Sequence, residues 1–595
     1  MQISKLYSNL KDKFHDIVFN IDGLNIVYAE ITDPENYNKD THNLGKTTLI
    51  ELIDFMLLKK RSKESFLFKH SNLFKDFEFF LELSLSGGAK YLTIKRSVKS
   101  HTKISLLLHE ERQQDFSAEV MDIWTHSDVP LAKAKALLDA YLSFEPIKPW
   151  TFRVGLPYFL RSQYDYQDVF QLNRFKGQHK DWKPYLFQIL GFDGNLMKRT
   201  YDIDDEVSEV ESQIRMVRRE FPGSIDSIDK LNGKILLVDN EIRDLETSLD
   251  TLSFKEIDDR ITDDLVSKIE TSVSALNEIR YSLSLEAETI KNQLSLDCVE
   301  DIQKTRKIFE EASLYFSEQL LKDYNSLIDF NRRITIDRKK FLSIRLDQII
   351  DELIEVDKDL SKYNEERQRA LSILMETKTG RRFRDYQKSL VNLKTQRELL
   401  EKMKDITEKL EFLENQIKEL QRERNIATVN IENEIKRGNN TYNNIRTAFS
   451  KSVKEVLGEE AIISITQNKA NNFEFEAEIV NTGKITSQSK GTSYKQVLCA
   501  MFDLSILQVY ADKPFFKFVY HDGILEGLDD RKKIQLLNHA RNVCQNYNLQ
   551  YILSVIDSDW PMERPNSKYP LTDGEIIVNL SDIGSTGRLF KIEVF

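Results

Sequence analysis

Gly45-Lys46-Thr47-Thr48 is the part of the sequence whose residue types and order are best suited to chemistry. A lysine in such a motif bridges the terminal phosphates of a nucleotide, and the threonine hydroxyl after it ligates Mg2+. A short apolar run, Leu24 to Ala29, precedes the motif, and apolar residues at helical spacing follow it from Leu49 to Leu57. This order predicts a phosphate-binding loop, because loop N–H groups and a helix N-terminus present positive dipoles to phosphate.

The motif departs from the usual phosphate-loop pattern at two glycine positions. Asp40 stands at the first glycine position, and Asn43 stands where one variant of the pattern has glycine. Asparagine tolerates left-handed backbone angles better than other non-glycine residues, so the substitution is physically workable. The predicted nucleotide-binding residues are therefore Asn43, Leu44, Gly45, Lys46, Thr47 and Thr48; the alternative is a chance Gly-Lys-Thr at a helix start.

Polar residues elsewhere could complete a nucleotide site. Ser489 to Ser493 places Gly491 before a helix, which makes a second loop suited to phosphate. The apolar strand Phe515 to Tyr520 ends at His521-Asp522, and an acid at a strand end is where α/β nucleotide sites hold Mg2+. We expect His521 either to contact the terminal phosphate or to fill the strand end. Gln163 either bridges Mg2+ and the attacking water or is an ordinary loop residue.

The elements that must position these residues fall into three segments. Lys234 to Thr379 contains neither glycine nor proline, which predicts long helices. Apolar seams at heptad spacing, over 231–252 and 399–420, predict an antiparallel coiled-coil hairpin, with two parallel coils between chains as the alternative. We therefore expect an α/β fold whose halves are residues 1–198 and 441–595, with a coiled-coil insertion over 199–440.

Composition limits the classes of function. The net charge of −11 over 595 residues means that a nucleic-acid site must be a local patch. Candidate patches, which are equally well explained as solvated surface, are Lys59, Lys60, Arg61 and Lys63, and Lys378, Arg381, Arg382 and Arg384. Three cysteines exclude a disulfide scaffold and a four-cysteine zinc site. The sequence has no long apolar run and no signal-peptide core, so we expect a cytoplasmic protein without a membrane partner.

Two groups of motifs carry a resemblance to a known family. GLNIVY and NLGKTTLIELIDFML in the first segment, and KGTSYKQVLCAMFDL and FVYHDGILEGLD in the last, flank the coiled coil. In this arrangement the chain resembles ATP-binding-cassette ATPases of the SMC and RecN type, whose two half-domains are separated by a coiled-coil hairpin. More closely, it resembles the ATPase components of bacterial three-component conflict systems, which carry an uncharacterised conserved C-terminal domain.

The resemblance implies ATP and Mg2+ as cofactors and assigns roles to the candidate residues. Thr47, Gln163 and Asp522 match the metal-binding positions. Ser489 and Gly491 match the signature loop, and Asp529 matches the acid of the dimer-contact loop. Gly523 stands where the family has a catalytic glutamate. Glu526 is the nearest carboxylate that could polarise water, so the expected ATP hydrolysis is slow.

The implied function is an ATP-gated homodimer of heads that acts as a switch on DNA, in antiphage defence or DNA maintenance, together with a separately encoded effector. The alternative is a catalytically weak coiled-coil scaffold that docks an effector protein.

We expect Lys46→Ala to weaken ATP binding by roughly a hundredfold, because it removes the cation that contacts the terminal phosphates. Titration with a fluorescent ATP analogue measures the effect. Binding at wild-type affinity would show that the loop is wrongly assigned.

Overall fold

The computed structural model of the protein describes residues 1–30, 44–118, 123–220, 226–250, 259–295, 318–372, 378–469, 471–481, 484–485, 491–564, 567–572 and 574–593. The chain divides into two compact units. The first unit contains Met1–Asp205 and Arg422–Phe595, and the second contains Glu206–Gln421. The sequence placed these boundaries after residues 198 and 440, so the first unit is longer at both junctions than expected.

The strands are bounded as follows: β1 Gln2–Ser8, β2 Ile17–Val18, β3 Gly23–Glu30, β4 Glu78–Leu85, β5 Lys90–Ser97, β6 Lys103–His109, β7 His126–Pro130, β8 Leu160–Arg161, β9 Glu460–Gln467, β10 Phe473–Asn481, β11 Lys484–Ile485, β12 Phe518–Asp522, β13 Gln550–Ile556, β14 Met562–Arg564, β15 Ser567–Lys568 and β16 Ile576–Ser581. The helices are α1 Lys46–Met56, α2 Phe66–Lys69, α3 Ser71–Phe74, α4 Leu131–Leu142, α5 Phe152–Gly155, α6 His179–Ile189, α7 Gly194–Glu220, α8 Ile228–Asp250, α9 Asp259–Ser295, α10 Glu318–Ser372, α11 Lys378–Arg437, α12 Asn440–Leu457, α13 Thr492–Val509 and α14 Asp530–Tyr547.

A parallel sheet in the first unit takes strands from both ends of the chain. Its order is β16-β3-β13-β12-β8, and each neighbouring pair is parallel. Ile26 of β3 pairs with Leu553 of β13, and both are fully buried. β12 and β13 are also buried along almost their whole length. Burial on both faces is typical of parallel sheets and explains why these strands read as continuous apolar runs.

Antiparallel sheets complete the first unit. One has the order β2-β1-β4-β5-β6-β7, and a smaller one has the order β11-β10-β9. The larger sheet supports α1 through Arg96 of β5, which is fully buried and donates from Nη2 to the carbonyl of Lys59 at 3.0 Å. The C-terminal end of α1 is thereby fixed to this sheet, while its N-terminal end lies at the parallel sheet.

The α1 helix carries a buried carboxylate surrounded by cations. Asp54 accepts from Arg153 Nη1 at 2.8 Å and forms an ion pair with Lys59 Nζ at 2.8 Å. Burial raises the pKa of Asp54, but Arg153, Lys59 and Arg174 outweigh burial and lower it to about 2. These cations lie where the helix dipole is negative, which adds to the stabilisation of α1.

The second unit pairs its apolar seams within one chain. Val210, Ile214 and Val217 of α7 pack with Leu410 and Leu413 of α11. Further along, Leu231, Ile235, Val238 and Ile242 of α8 pack with Leu400 of α11. Ion pairs Arg397–Asp239 at 2.6 Å and Lys394–Glu246 at 2.9 Å run in opposite directions along α8 and α11. This part of the helical unit therefore has the antiparallel intrachain pairing expected of the seams.

A second antiparallel helix pair was not expected. α9 and α10 are joined by the ion pairs Arg280–Asp357 at 2.7 Å and Arg345–Glu286 at 3.0 Å. Glu278 of α9 also contacts Lys402 of α11 at 2.8 Å. The helical unit is therefore more than a two-helix arm. The sequence Thr377-Lys378-Thr379-Gly380 predicts a turn; Thr377 lies outside the described residues, and residues 378–380 instead begin α11.

Within the described ranges, no helix combines the length and the hydrophobicity needed to cross a bilayer.

We expect the ion pairs of Asp54 to stabilise the folded state by about 2 kcal/mol at neutral pH. The pKa of Asp54 is about 2 in the folded protein and 3.8 ordinarily. The stabilisation is therefore fully present above pH 3.8 and is lost as the pH falls toward 2. Urea unfolding of wild type and Asp54→Asn should therefore show a gap in stability at neutral pH that closes in acid. Asp12→Asn, at an exposed carboxylate of the same unit, is the control. A gap that does not change with pH would contradict this account.

Candidate functional site

Gly45 forms the bend that starts α1. It is the N-cap residue and has φ 102° and ψ 13°, a left-handed conformation that glycine adopts without strain. The first N–H groups of α1 have no partner within the helix, so they point toward the space in front of Gly45. A predicted member of this loop, Asn43, lies outside the described residues. Leu44 is buried and contributes backbone rather than side chain to the loop.

Asp522 lies at the end of β12 and uses both carboxylate oxygens. Thr47 Oγ1 donates to Asp522 Oδ2 at 2.9 Å, and Ser554 Oγ of β13 donates to Oδ1. Asp522 is only 1% exposed. Burial raises its pKa, while Ser554, Thr47 and Lys46 act in the opposite direction. A hydroxyl and a carboxylate at this separation are the oxygen ligands that Mg2+ prefers.

Gln163 and Glu526 meet beside Asp522. Gln163 Nε2 donates to Glu526 Oε1 at 2.7 Å, although the two residues are 363 positions apart. Burial is the largest effect that raises the pKa of Glu526, followed by the negative charge of Asp559; Lys46 lowers it. Glu526 is therefore close enough to Lys46 and Asp522 to interact with both charges.

Gly523 has no room for a side chain. Its φ is 66°, and a Cβ built on it would lie 2.8 Å from both Gln163 Cγ and Glu526 Oε1. The Glu526 carboxylate therefore occupies space beside Asp522 that a side chain at position 523 would enter. Position 523, where a glutamate was expected, therefore has no carboxylate, but that of Glu526 fills the adjacent volume.

Thr48 provides a further hydroxyl at the start of α1. Its Oγ1 is buried and has no hydrogen-bond partner in the described part of the protein. It lies 3.1 Å from a Cβ built on Gly45, so it is next to the glycine bend. A buried hydroxyl without a partner is unfavourable unless a ligand satisfies it. Together with Lys46, Thr47 and Asp522, the hydroxyl of Thr48 makes a set of polar groups that fits a nucleotide phosphate and Mg2+.

His521 does not face the phosphate loop. It is fully buried, with Nδ1 2.7 Å from Tyr551 Oη and Nε2 3.1 Å from Asp503 Oδ2. Both ring nitrogens are thus occupied by protein partners, and burial lowers the pKa of His521. Of the two expectations for His521, the structure favours the strand-end role, and the assignment to phosphate binding is corrected on this ground.

The histidine belongs to a buried ion-pair network that the sequence analysis missed. Arg161 donates to Asp503 from Nη2 at 2.9 Å, and its Nη1 donates to the carbonyl of Asp165 at 3.0 Å. This network joins α13 to the segment that carries Gln163. One signal in the sequence was Asp503 itself, a single acid within the apolar run VLCAMFDLSILQV, which required a buried cation as partner.

The remaining candidates lie at two helix N-termini. Gly491 is the exposed N-cap residue of α13, and Asp529 is the exposed N-cap residue of α14, where it accepts from the N–H of Arg531 at 3.1 Å. Ser493 Oγ donates to the carbonyl of Gly527 at 3.0 Å, which joins the two helix starts. Ser489 lies outside the described residues. The starts of α13 and α14, at Gly491 and Asp529, are thus connected at the surface.

Comparison with known proteins gives one family match and several structural similarities. Residues 449–594 match a family described as an uncharacterised protein conserved in bacteria (DUF2326). No curated protein matches the chain.

The chain is similar to the Smc head domain with a coiled coil and joint from Pyrococcus yayanosii: 14% identity, TM-score 0.31, covering 93% of this chain and 92% of the other. It is also similar to the Pyrococcus furiosus Smc head domain with an extended coiled coil bound to the C-terminal domain of ScpA, at 12% identity and TM-score 0.28, covering 94% and 90%. A SmcHead bound to the C-winged helix domain of ScpA gives 10% identity and TM-score 0.31, covering 94% and 90%.

We expect Gly523→Ala to slow ATP turnover by roughly tenfold or more, because the new Cβ would separate Gln163 from Glu526. Nucleotide affinity should stay within about threefold of wild type, since the predicted phosphate-binding residues are at the start of α1. Phosphate release and nucleotide titration measure the two effects.

Gly527→Ala is the matched control for this variant. Gly527 also has a positive φ, of 70°, but a Cβ built there meets no atom within 4 Å. The Gly527→Ala variant therefore adds the backbone strain of a positive φ without a collision between the new Cβ and other side chains. Equal losses of turnover in the two variants would show that strain, and not the Gln163–Glu526 contact, is responsible.

Proposed function

We propose that the protein binds and slowly hydrolyses ATP with Mg2+, and that bound nucleotide joins two copies of the first unit. The observation that carries the proposal is the hydrogen bond from Thr47 Oγ1 to Asp522 Oδ2, at 2.9 Å. It joins the first turn of the helix after a left-handed glycine to an acid at the end of a parallel strand. These are the two positions from which an α/β nucleotide site holds Mg2+ beside phosphate.

The chain's own residues divide the chemistry between them. Lys46 supplies positive charge close to Asp522 and Glu526, where the charge of a terminal phosphate would be placed. Mg2+, when bound, neutralises phosphate charge and polarises the phosphorus centre. Glu526 would accept the proton of the attacking water, and Gln163 positions that carboxylate by donating from Nε2 to Glu526 Oε1.

A second copy completes the proposed site. Gly491 is exposed at the N-terminus of α13, where the N–H groups and the helix dipole favour an anion, whereas the N-terminus of α14 is already capped by the carboxylate of Asp529. Phosphate held between the loop at Lys46 of one copy and the helix start at Gly491 of another would gain hydrogen bonds that neither copy supplies alone. ATP therefore shifts the population toward a homodimer.

A catalytically weak scaffold is the second candidate function. The observation that favours it is Gly523, whose positive φ and crowded surroundings leave no place for an acid directly after Asp522. In that case the antiparallel helices of the second unit would dock an effector protein, and nucleotide would only stabilise the fold.

DNA is the ligand that we propose for the switch, with a separately encoded effector in a bacterial defence or DNA-maintenance role. The observation that supports DNA is a cationic patch after α1. Lys60, Arg61 and Lys63 are exposed, whereas Lys59 is paired with Asp54. Lys135 is near the same patch. Burial is the largest effect that lowers the pKa of Lys135, and the positive charges of Arg153 and Lys60 lower it further. Such clusters attract phosphate backbones.

We expect Glu526→Gln to reduce ATP turnover by roughly a hundredfold or more, because an amide cannot accept the proton. ATP binding should persist, and a nucleotide-bound dimer should accumulate because hydrolysis no longer releases it. Phosphate release and light scattering with and without ATP and Mg2+ measure turnover and mass. Glu563→Gln, at an exposed glutamate of the same unit, is the control.

The outcomes separate the two candidate functions. If the Glu526→Gln variant hydrolyses ATP at the wild-type rate, Glu526 is not the group that accepts the proton. A wild-type protein that binds ATP but neither hydrolyses it nor changes mass would favour the scaffold. Absence of ATP binding by the wild-type protein would overturn both accounts of the site.

A further inference from the structure

One short segment contacts both sides of the predicted phosphate loop. Ser581, the last residue of β16, pairs in parallel with Glu30, the last residue of β3. A few residues later, the N–H of Leu589 donates to the carbonyl of Leu44 at 3.1 Å. Glu30 and Leu44 are the described residues on either side of the loop. The segment 581–589 therefore fixes the point where the loop leaves the sheet and the point where it returns.

The side chain of Leu589 packs directly against the glycine bend. A Cβ built on Gly45 would lie 2.7 Å from Leu589 Cβ and 3.5 Å from its Cδ2. Leu589 is fully buried. Contact at this distance leaves no space for a side chain at position 45. Glycine is therefore required there for two reasons, the packing of Leu589 and the left-handed φ of the backbone.

The segment is itself held from the opposite side. The N–H of His15 donates to the carbonyl of Leu589 at 3.1 Å, and the N–H of Lys591 donates to the carbonyl of Lys13 at 3.1 Å. Phe590 packs among aromatic rings of the antiparallel part of the unit, with ring centroids 5.0 Å from Phe74 and 5.3 Å from Phe14. Both backbone groups of Leu589 are therefore hydrogen-bonded: its N–H to Leu44, beside the predicted phosphate loop, and its carbonyl to His15.

We infer that Leu589 is a positioning residue of the nucleotide site, an inference that rests on the proposed function. It holds the Leu44 carbonyl by its N–H and supports Gly45 by its side chain, and so fixes the bend from which the α1 N–H groups face phosphate. By reciprocity, bound nucleotide stabilises the docking of the segment 581–589, because each favours the same loop conformation.

The test compares neighbouring residues that differ in what they touch. Leu589→Ala and the milder Leu589→Val both remove the Cδ2 contact with the bend but keep Cβ and the N–H, whereas Phe590→Leu trims the adjacent buried side chain away from the loop. We expect Leu589→Ala to raise the Kd for ATP roughly tenfold, Leu589→Val to raise it less, and Phe590→Leu to change it by less than about twofold. Thermal unfolding midpoints of all three variants give the structural effect separately.

Hydrogen exchange supplies a readout that a merely structural role would not move. In the wild-type protein, ATP should slow exchange of the Leu589 amide, and Leu589→Ala should reduce that protection. If Leu589→Ala and Phe590→Leu lower the unfolding midpoint but leave the Kd for ATP equal to wild type, Leu589 is an ordinary core residue and the inference is wrong. If the wild-type protein binds no ATP, the proposed function fails and the inference fails with it.

Discussion

The structure of the first unit depends on parallel pairing between strands from opposite ends of the chain. β3 lies between β13 and β16, and in the same sheet β12 ends at Asp522, which meets the start of α1 at Thr47. No local signal could bring Thr47 and Asp522 to 2.9 Å, because they are 475 positions apart. The hydrogen bond between them is a result of sheet register, and every proposed chemical role at the site follows from it.

Burial and charge are balanced around this contact. Asp522 is almost completely buried, yet Ser554 and Thr47 hydrogen-bond both of its oxygens. Nearby, the fully buried Arg161 and Asp503 compensate one another and connect α13 to the segment before Gln163. Buried charges are tolerated only when paired in this way, so these pairs restrict how the site can rearrange. The groups of the proposed nucleotide site are thus supported by an interior of paired buried charges, while Gly491 and Asp529 are exposed.

Local pattern in the sequence was sufficient for the elements but not for all of the site. Apolar runs predicted the strands that became β3 and β12, and the spacing after Gly45 predicted α1. The contact between Gln163 and Glu526 was beyond such reasoning, because it joins two loops through tertiary folding. His521 shows the same limit. Its position beside Asp522 suggested contact with phosphate, but the alternation of side chains along β12 turns its ring into the interior. The second helix pair, α9 and α10, lacked the regular heptads that identified the first.

The split sheet has a consequence for biosynthesis. The partner of β3, β13, emerges from the ribosome only after roughly 500 further residues, about a minute at ordinary rates of translation. During that interval both edges of β3 lack their neighbouring strands, and the helical unit is made first. The nascent protein therefore carries an unpaired, aggregation-prone strand, and the proposed nucleotide site can form only after β12 and β13 have been made.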